Sequence, residues 1–161
     1  MTTHSTHFDS PVGRLLALAA NDAIIALHIL GGKHPPVPAE PWLDSPRLPV
    51  FLQLRQELSE YFAGQRRRFE LRLAPAGSDF QQAAWLALTR IPYGQTRSYG
   101  QQAAAIGRPA AVRAVAAANG RNPIAIVVPC HRVIAANGAL TGYAGGLHNK
   151  AWLLRLEEGA A

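Results

Sequence analysis

The chain has 161 residues, 48% of them hydrophobic, with a single cysteine and a net charge of +6. That is enough apolar material for one or two small cores, but no run reaches the roughly 18–20 continuous apolar residues of a membrane-crossing helix. One cysteine excludes an internal disulfide framework and a zinc site built on several thiolates, and the six histidines are too scattered to suggest a metal.

Met1 to Ser10 is polar, without the apolar centre of a signal peptide. A lone functional thiol suits a reducing, cytoplasmic compartment. Thr6-His7-Phe8 and Leu15-Leu16-Ala17-Leu18 predict two strands joined at Ser10-Pro11-Val12-Gly13. Asn21-Asp22 is a turn before a third strand over Ala23–Leu30, which completes an antiparallel meander. Gly31 to Pro46 holds five prolines and predicts a loop. Pro49 opens a predicted helix to Phe62, with Leu52, Leu54, Leu58, Tyr61 and Phe62 on its apolar side and Gly64 after it. Phe69, Leu71 and Leu73 alternate, which predicts a strand over Arg66–Leu73. The triple arginine 66–68 is read as its solvated end, with phosphate contact as the alternative. Ala74 to Ser78 is a linker between a front unit, 1–73, and a back unit, 79–161.

The back unit is mostly helical. Ser78 or Asp79 can cap a helix to about Thr89 that buries Phe80, Ala84, Trp85 and Leu88. Ser98 with Gln101 three residues on is a capping box for a helix to about Ile106, closed by Gly107. Pro109 suits the first turn of the next helix, to Ala118. Two short helices across a glycine-containing turn make a helix-turn-helix pattern.

Charge is divided unevenly. Residues 1–79 carry eight basic and eight acidic side chains, whereas residues 80–161 carry eight basic and two acidic, so the excess lies in the back unit. Such a surface suits a polyanion. The second helix of the pair bears mostly alanine around one long side chain, Arg113. Major-groove readout of bases needs several Arg, Asn or Gln. Small residues such as Ala111, Val112 and Ala116 instead let a helix backbone approach DNA closely, with Arg113 placed to fill a gap in the base stack. The alternative is an alanine-rich core helix with one exposed arginine.

The apolar run Ile124–Val128, a buried strand or a tight apolar segment, stops at Pro129 before Cys130-His131. Neighbouring side chains do not face one another on a strand or a helix, so a thiol–imidazole relay at this spacing needs a bridging water. The imidazole also needs an orienting carboxylate. Glu157, the first acid after Asp79, is the candidate if the last helix, Lys150 to Glu158 with Asn149 as its cap, packs against the cysteine loop. Thr141 to Gly146 is a glycine-rich loop whose backbone can approach a ligand.

Taken together, Ile91-Pro92-Tyr93-Gly94-Gln95-Thr96-Arg97-Ser98-Tyr99, Arg113-Ala114-Val115, Asn122-Pro123, Pro129-Cys130-His131-Arg132-Val133, Tyr143-Ala144-Gly145-Gly146-Leu147, Lys150 and Trp152-Leu153-Leu154 resemble the O6-alkylguanine-DNA alkyltransferases. The resemblance is dense over residues 79–158 and looser in front, through Asp9-Ser10-Pro11-Val12-Gly13. It implies an α+β chain: a small N-terminal α/β domain resembling ribonuclease H, then a mostly helical winged-helix, helix-turn-helix-like domain. It implies repair by direct reversal, without a cofactor. An alkylated guanine, with O4-alkylthymine left open, is flipped from double-stranded DNA and loses its alkyl group irreversibly to Cys130, once per molecule. In that reading His131 is the base reached through water, Glu157 its partner, and Asn122 the tie between helix-turn-helix and active-site turn. Tyr99 crowds the target phosphate and donates to the guanine, Arg113 replaces the flipped base, and Val133, Tyr143 and Ala144 form pocket walls. Ser98, Tyr99, Ala111, Val112, Arg113 and Ala116 face the DNA. The resemblance further implies a monomer in solution, with cooperativity on DNA left open. Ala144 stands where several members of the family have serine, a harmless change if the contact there is the backbone N–H and a weaker assistance to the leaving group if it is the hydroxyl. Ala125 replaces a proline that some members use as a pocket wall, which suggests a roomier pocket that accepts groups larger than methyl.

Overall fold

The computed structural model describes residues 2–32, 35–38 and 41–159. Four strands form a sheet in the order β3-β2-β1-β4: β1 His4–Ser10, β2 Gly13–Ala20, β3 Ala23–Ile29 and β4 Leu43–Asp44. β1, β2 and β3 are the expected antiparallel meander, and Asn21 and Asp22 make its second turn with φ of 51° and 63°. That left-handed pair matches the twist of a two-residue hairpin and suits Asn and Asp. The short β4, parallel to β1, lies inside the segment expected to be loop; residues 33, 34, 39 and 40 of that segment fall outside the described residues.

β2 does not alternate between buried and exposed because both faces of the sheet are covered. Leu15, Ala17 and Ala19 face the helix α1, Pro49–Phe62, through Phe51, Leu54, Leu58 and Tyr61. Leu16, Leu18 and Ala26 lie beneath Trp42 on the other face. Leu52, expected on the apolar side of α1, is 52% exposed; it sits off the stripe traced by Phe51, Leu54 and Leu58.

The free edge of β3 explains two corrections. Ile24 N–H donates to Arg72 O and Ala74 N–H to Ile24 O, each at 2.8 Å. Three residues along, Leu27 N–H donates to Pro123 O at 2.8 Å and Ala125 N–H to Leu27 O at 3.0 Å. One short edge is thus shared by two segments, and each obtains a single parallel bridge, Ile24–Leu73 and Leu27–Ile124. Residues 66–73 are therefore extended chain rather than the expected strand, and 124–128 is the tight apolar segment rather than a strand. The sharing also closes an edge that would otherwise invite pairing with another chain. Of the triple arginine, Arg66 pairs with Glu60 at 2.8 Å, and the Arg67 guanidinium lies 5.1 Å from the centre of the Tyr93 ring.

The remaining elements are α2 Asp79–Thr89, β5 Arg97–Ser98, α3 Tyr99–Ala105, α4 Val112–Gly120, β6 Val133–Ile134 and α5 Leu147–Glu157. Ser78 and Ser98 each make a complete capping box, with Gln81 and Gln101. Phe80 is half-buried rather than buried. α4 starts three residues after Pro109 and continues past Ala118 to Gly120, because Asn119 is drawn into the interior by Gln102. Asn149 lies inside α5 instead of capping it, and its Nδ2 donates to Gly145 O at 2.9 Å. β5 and β6 pair in parallel beside α3. A single hydrophobic cluster runs from Leu15 and Tyr61 of the front sheet layer to Trp85, Val133 and Leu153 of the back half.

Candidate active site

Asn122 organises the turn that holds the cysteine. Its Oδ1 accepts from Ile124 N–H at 3.0 Å, while its Nδ2 donates to Val128 O at 2.8 Å and to Cys130 Sγ at 3.2 Å. The segment between them bends tightly enough to put Ile126 at φ 70°, a conformation that strains a β-branched residue. Such strain persists where the surroundings over-determine it; here the side chain is 1% exposed and packed in the core. Pro129 then leads into one 3-10 turn, Cys130–Arg132.

Cys130 as a residue is 9% exposed, and its sulfur is bonded to Asn122 rather than to the adjacent imidazole. Burial pushes the thiol pKa up, while the Asn122 bond and the Lys150 charge pull it down. The Lys150 ammonium is itself buried, donating to Val133 O at 2.6 Å and Thr141 O at 2.8 Å. It thereby ties the cysteine turn to the glycine-rich loop.

His131 Nε2 lies 2.7 Å from Glu157 Oε2. Burial would raise the Glu157 pKa, but the hydrogen bonds and charges of His131 and Arg132 outweigh it and hold this carboxyl below the usual range. An ionised carboxylate only accepts, so the ring proton sits on Nε2 and leaves a lone pair on Nδ1. Nδ1 is buried and has no hydrogen-bond partner among the described residues. Burial lowers the pKa of the ring, against the pull of Glu157, so the imidazole rests neutral and can take a proton at Nδ1. Arg132 completes the cluster: its Nε donates to Glu157 Oε1 at 2.7 Å and its Nη1 to Ile91 O at 2.7 Å.

A cavity of about 320 Å³ is lined by Tyr99, Ala116, Gly120 and Thr141–Ala144; Cys130 is not in its lining, and Tyr143 is the lining residue that neighbours the thiol. Tyr99 donates to Thr141 O at 3.2 Å. The Tyr143 hydroxyl is buried without a partner among the described residues, and burial with the neighbouring Cys130 raises its pKa well above the ordinary value. The loop is backed by the front sheet. A Cβ on Gly145 would stand 2.6 Å from Ile29 Cδ1, and one on Gly32 would collide with the Ala144 carbonyl oxygen. The backbone contact at Gly32 therefore needs glycine, whereas a Cβ at Gly145 would require the Ile29 and Tyr143 side chains to shift.

The helix pair is locked by buried amides. Gln102 and Asn119 exchange two bonds of 2.9 and 2.8 Å, and Gln102 Nε2 also reaches Ala84 O at 3.1 Å. Trp85 Nε1 donates to Ala118 O at 2.8 Å. α4 buries Val115, Ala118 and Asn119 while Val112, Arg113, Ala114, Ala116 and Ala117 face out. Its alanines are thus mostly a surface, not a core.

The structure brings Cys130, His131, Asn122 and Glu157 into one cluster, with Tyr99, Tyr143, Ala144 and Ala116 around the adjoining cavity. Val133 is fully buried under Lys150 and does not line that cavity; Arg113 stands on the outer face of α4. Ser98 caps α3, and Ala111 and Val112 begin α4. Sequence reasoning did not identify Tyr61, whose hydroxyl donates to Glu157 Oε2 at 2.5 Å, nor the roles of Arg132 and Lys150. Two charged residues in otherwise apolar stretches were the available signal for the latter. Among the described residues no three of His, Cys, Asp and Glu converge as metal ligands.

Comparison with known proteins agrees in both halves. Residues 3–75 match the family described as 6-O-methylguanine DNA methyltransferase, ribonuclease-like domain, and residues 79–159 match its DNA binding domain. A methylated-DNA–protein-cysteine methyltransferase of Methanosarcina acetivorans is 47% identical over 150 residues, 93% of this chain and 95% of the relative. That of Mycolicibacterium paratuberculosis is 51% identical over 150 residues, 92% of this chain and 88% of the relative. The Mycobacterium tuberculosis OGT solved in complex with DNA superimposes with a TM-score of 0.91 at 46% identity, covering 98% of this chain and 94% of that one.

Proposed function

We infer the function of this chain from its family: it belongs to the 6-O-methylguanine DNA methyltransferases, which makes it a DNA-repair transferase that moves an alkyl group from a damaged base to a cysteine. Cys130 is the acceptor, since it is the one cysteine in the sequence. The observation that carries the assignment is its sulfur, held by Asn122 beside the paired His131 and Glu157.

The chemistry follows from the geometry. A guanine O6 inside a duplex cannot meet the sulfur of a buried cysteine, so the base must leave the stack. α4 supports this: its outward alanines permit close approach to the groove, and Arg113 is free to occupy the space the base leaves. The everted base enters the cavity between Tyr99 and the Thr141–Ala144 backbone. The thiol proton passes through a water to His131 Nδ1, and Glu157 stabilises the resulting imidazolium. The thiolate attacks the alkyl carbon in line, an S–C bond forms and the C–O6 bond breaks. The electron pair left on guanine takes up a proton, with Tyr99 placed to donate to the leaving base. The thioether has no route back, so each molecule acts once and no cofactor enters.

We further propose units at 1–73 and 79–161 joined by 74–78, a division supported by the two family matches. A reducing cytoplasm as the site of action is supported by the lone thiol; no helix among the described residues is long and apolar enough to cross a membrane.

Mass spectrometry after incubation with duplex DNA containing O6-methylguanine tests the assignment. One methyl on Cys130, and none on a Cys130→Ser variant that still binds DNA, is expected. Unmodified protein after complete incubation sinks it.

A further inference from the structure

The front unit reaches into the chemistry through one side chain. Tyr61 lies in the last turn of α1, fully buried, and its hydroxyl donates to Glu157 Oε2, the oxygen that also receives His131 Nε2. We propose that Tyr61 is a positioning residue for the transfer: it fixes the Glu157 carboxylate and sets how much negative charge that carboxylate presents to His131. The proposal rests on the role of His131 as the base.

Glu157 is crowded with donors from every element packed on it. α1 supplies Tyr61; the 3-10 turn supplies His131 and Arg132, the latter also through Nη2 at 3.1 Å; and the chain after α2 supplies Gly94 N–H at 3.3 Å. Tyr93 faces the same end of α5 through Leu156 O, and the Lys150 charge acts on His131 from within α5. Arg132 and Gly94 are local to the cysteine turn and its neighbouring loop. Tyr61 stands 96 residues from Glu157 and is the contribution of the front unit. Burial, then the charge of Glu157, raises the Tyr61 pKa far above the ordinary value, so the phenol is a permanent donor.

Three donors share Oε2, namely Tyr61, His131 and the longer Arg132 Nη2 bond, and they compete for its charge, since a hydrogen bond to an ionised acceptor is strong and draws density from it. Removing the Tyr61 hydroxyl therefore leaves Oε2 a stronger acceptor for His131 and stabilises the imidazolium. Tyr61→Phe keeps the ring that packs against Phe62 and Phe69. In the full chain it is expected to move the His131 Nε2–H proton resonance downfield and to raise the acid limb of the transfer rate by about half a pH unit. A 3-fluorotyrosine at position 61, a stronger donor with the same shape, is expected to move both the opposite way.

A packing role alone would lower the melting temperature and leave the resonance and the acid limb in place; that result overturns the proposal. If Tyr61→Phe does not fold, the fluorinated chain decides by the same two measurements. The resonance needs no DNA. Failure of methyl transfer in the unsubstituted chain thus condemns the assigned function, whereas an unmoved resonance condemns Tyr61.

Discussion

His131 Nε2 and Glu157 Oε2 meet at 2.7 Å with both side chains sealed from solvent, one from the cysteine turn and the other from the last turn of α5. Both groups have folded-state pKa values below their ordinary ones: His131 through burial, Glu157 because its partners outweigh burial. The unfolded chain therefore binds more protons in each window, and the stability these groups contribute is lost as pH falls. The histidine loss begins below its ordinary value of 6.5 and the carboxylate loss below 4.5. Denaturant midpoints measured downward from about pH 8 should fall through both windows. Glu157→Gln, which strands Arg132, should cost about 3–5 kcal/mol at neutral pH and flatten the lower window. A wild-type midpoint indifferent to pH contradicts the buried pair.

Asn122 is the hydrogen-bond donor to the sulfur, and that bond favours the thiolate against burial. Asn122→Ala should raise the thiol pKa and slow single-turnover transfer about 10- to 100-fold at neutral pH, with recovery toward alkaline pH. A slowed rate that stays parallel to wild type at every pH would mean that Asn122 only shapes the turn.

Arg113 is exposed on α4, one turn from Ala116, which lines the cavity, and does not line the cavity itself. If it stabilises a flipped-out base, Arg113→Ala should slow transfer from duplex DNA about 10- to 100-fold and leave transfer from the free O6-alkylguanine base unchanged. Quench-flow with both substrates checks this. Equal slowing on the two would place Arg113 in the chemistry instead.

Ala125 carries a consequence of the shared sheet edge. Its N–H donates to Leu27 O at 3.0 Å, one of the bonds that dock the cysteine segment on β3. A proline here has no N–H to give. Ala125→Pro should lower stability by about 1–3 kcal/mol in a denaturant titration. Stability equal to wild type would show that the segment re-docks without that bond. Preference between methyl and benzyl groups is then better probed with Ala144→Ser, whose residue lines the cavity.

Features whose atoms lie within three or four residues of one another were legible in the sequence. The Asn21-Asp22 turn, the Ser78 and Ser98 capping boxes, and Pro49 at the start of α1 are of this kind. So was the linear set around Cys130, His131 and Asn122, because ordered motifs survive without coordinates. The segments 66–73 and 124–128 were not legible. Alternation codes for extended backbone, but whether extended backbone becomes a strand depends on a free edge, and these two divide one.

Tyr61 at helical spacing looks like any core aromatic, and Arg132 beside a histidine looks like surface charge. Nothing local distinguishes a phenol that fills space from one that also donates to a carboxylate 96 positions away. The sequence by itself determined the lone thiol, its immediate neighbours and the alanine-rich composition of α4, since each depends on residue type and short spacing, whereas the exposure of those alanines was decided by packing. Only the tertiary structure decided which donors share Glu157 and which glycines let the front sheet back the Tyr143–Gly146 loop. Those relationships join groups from distant parts of the chain, and packing rather than local pattern sets the distances between them.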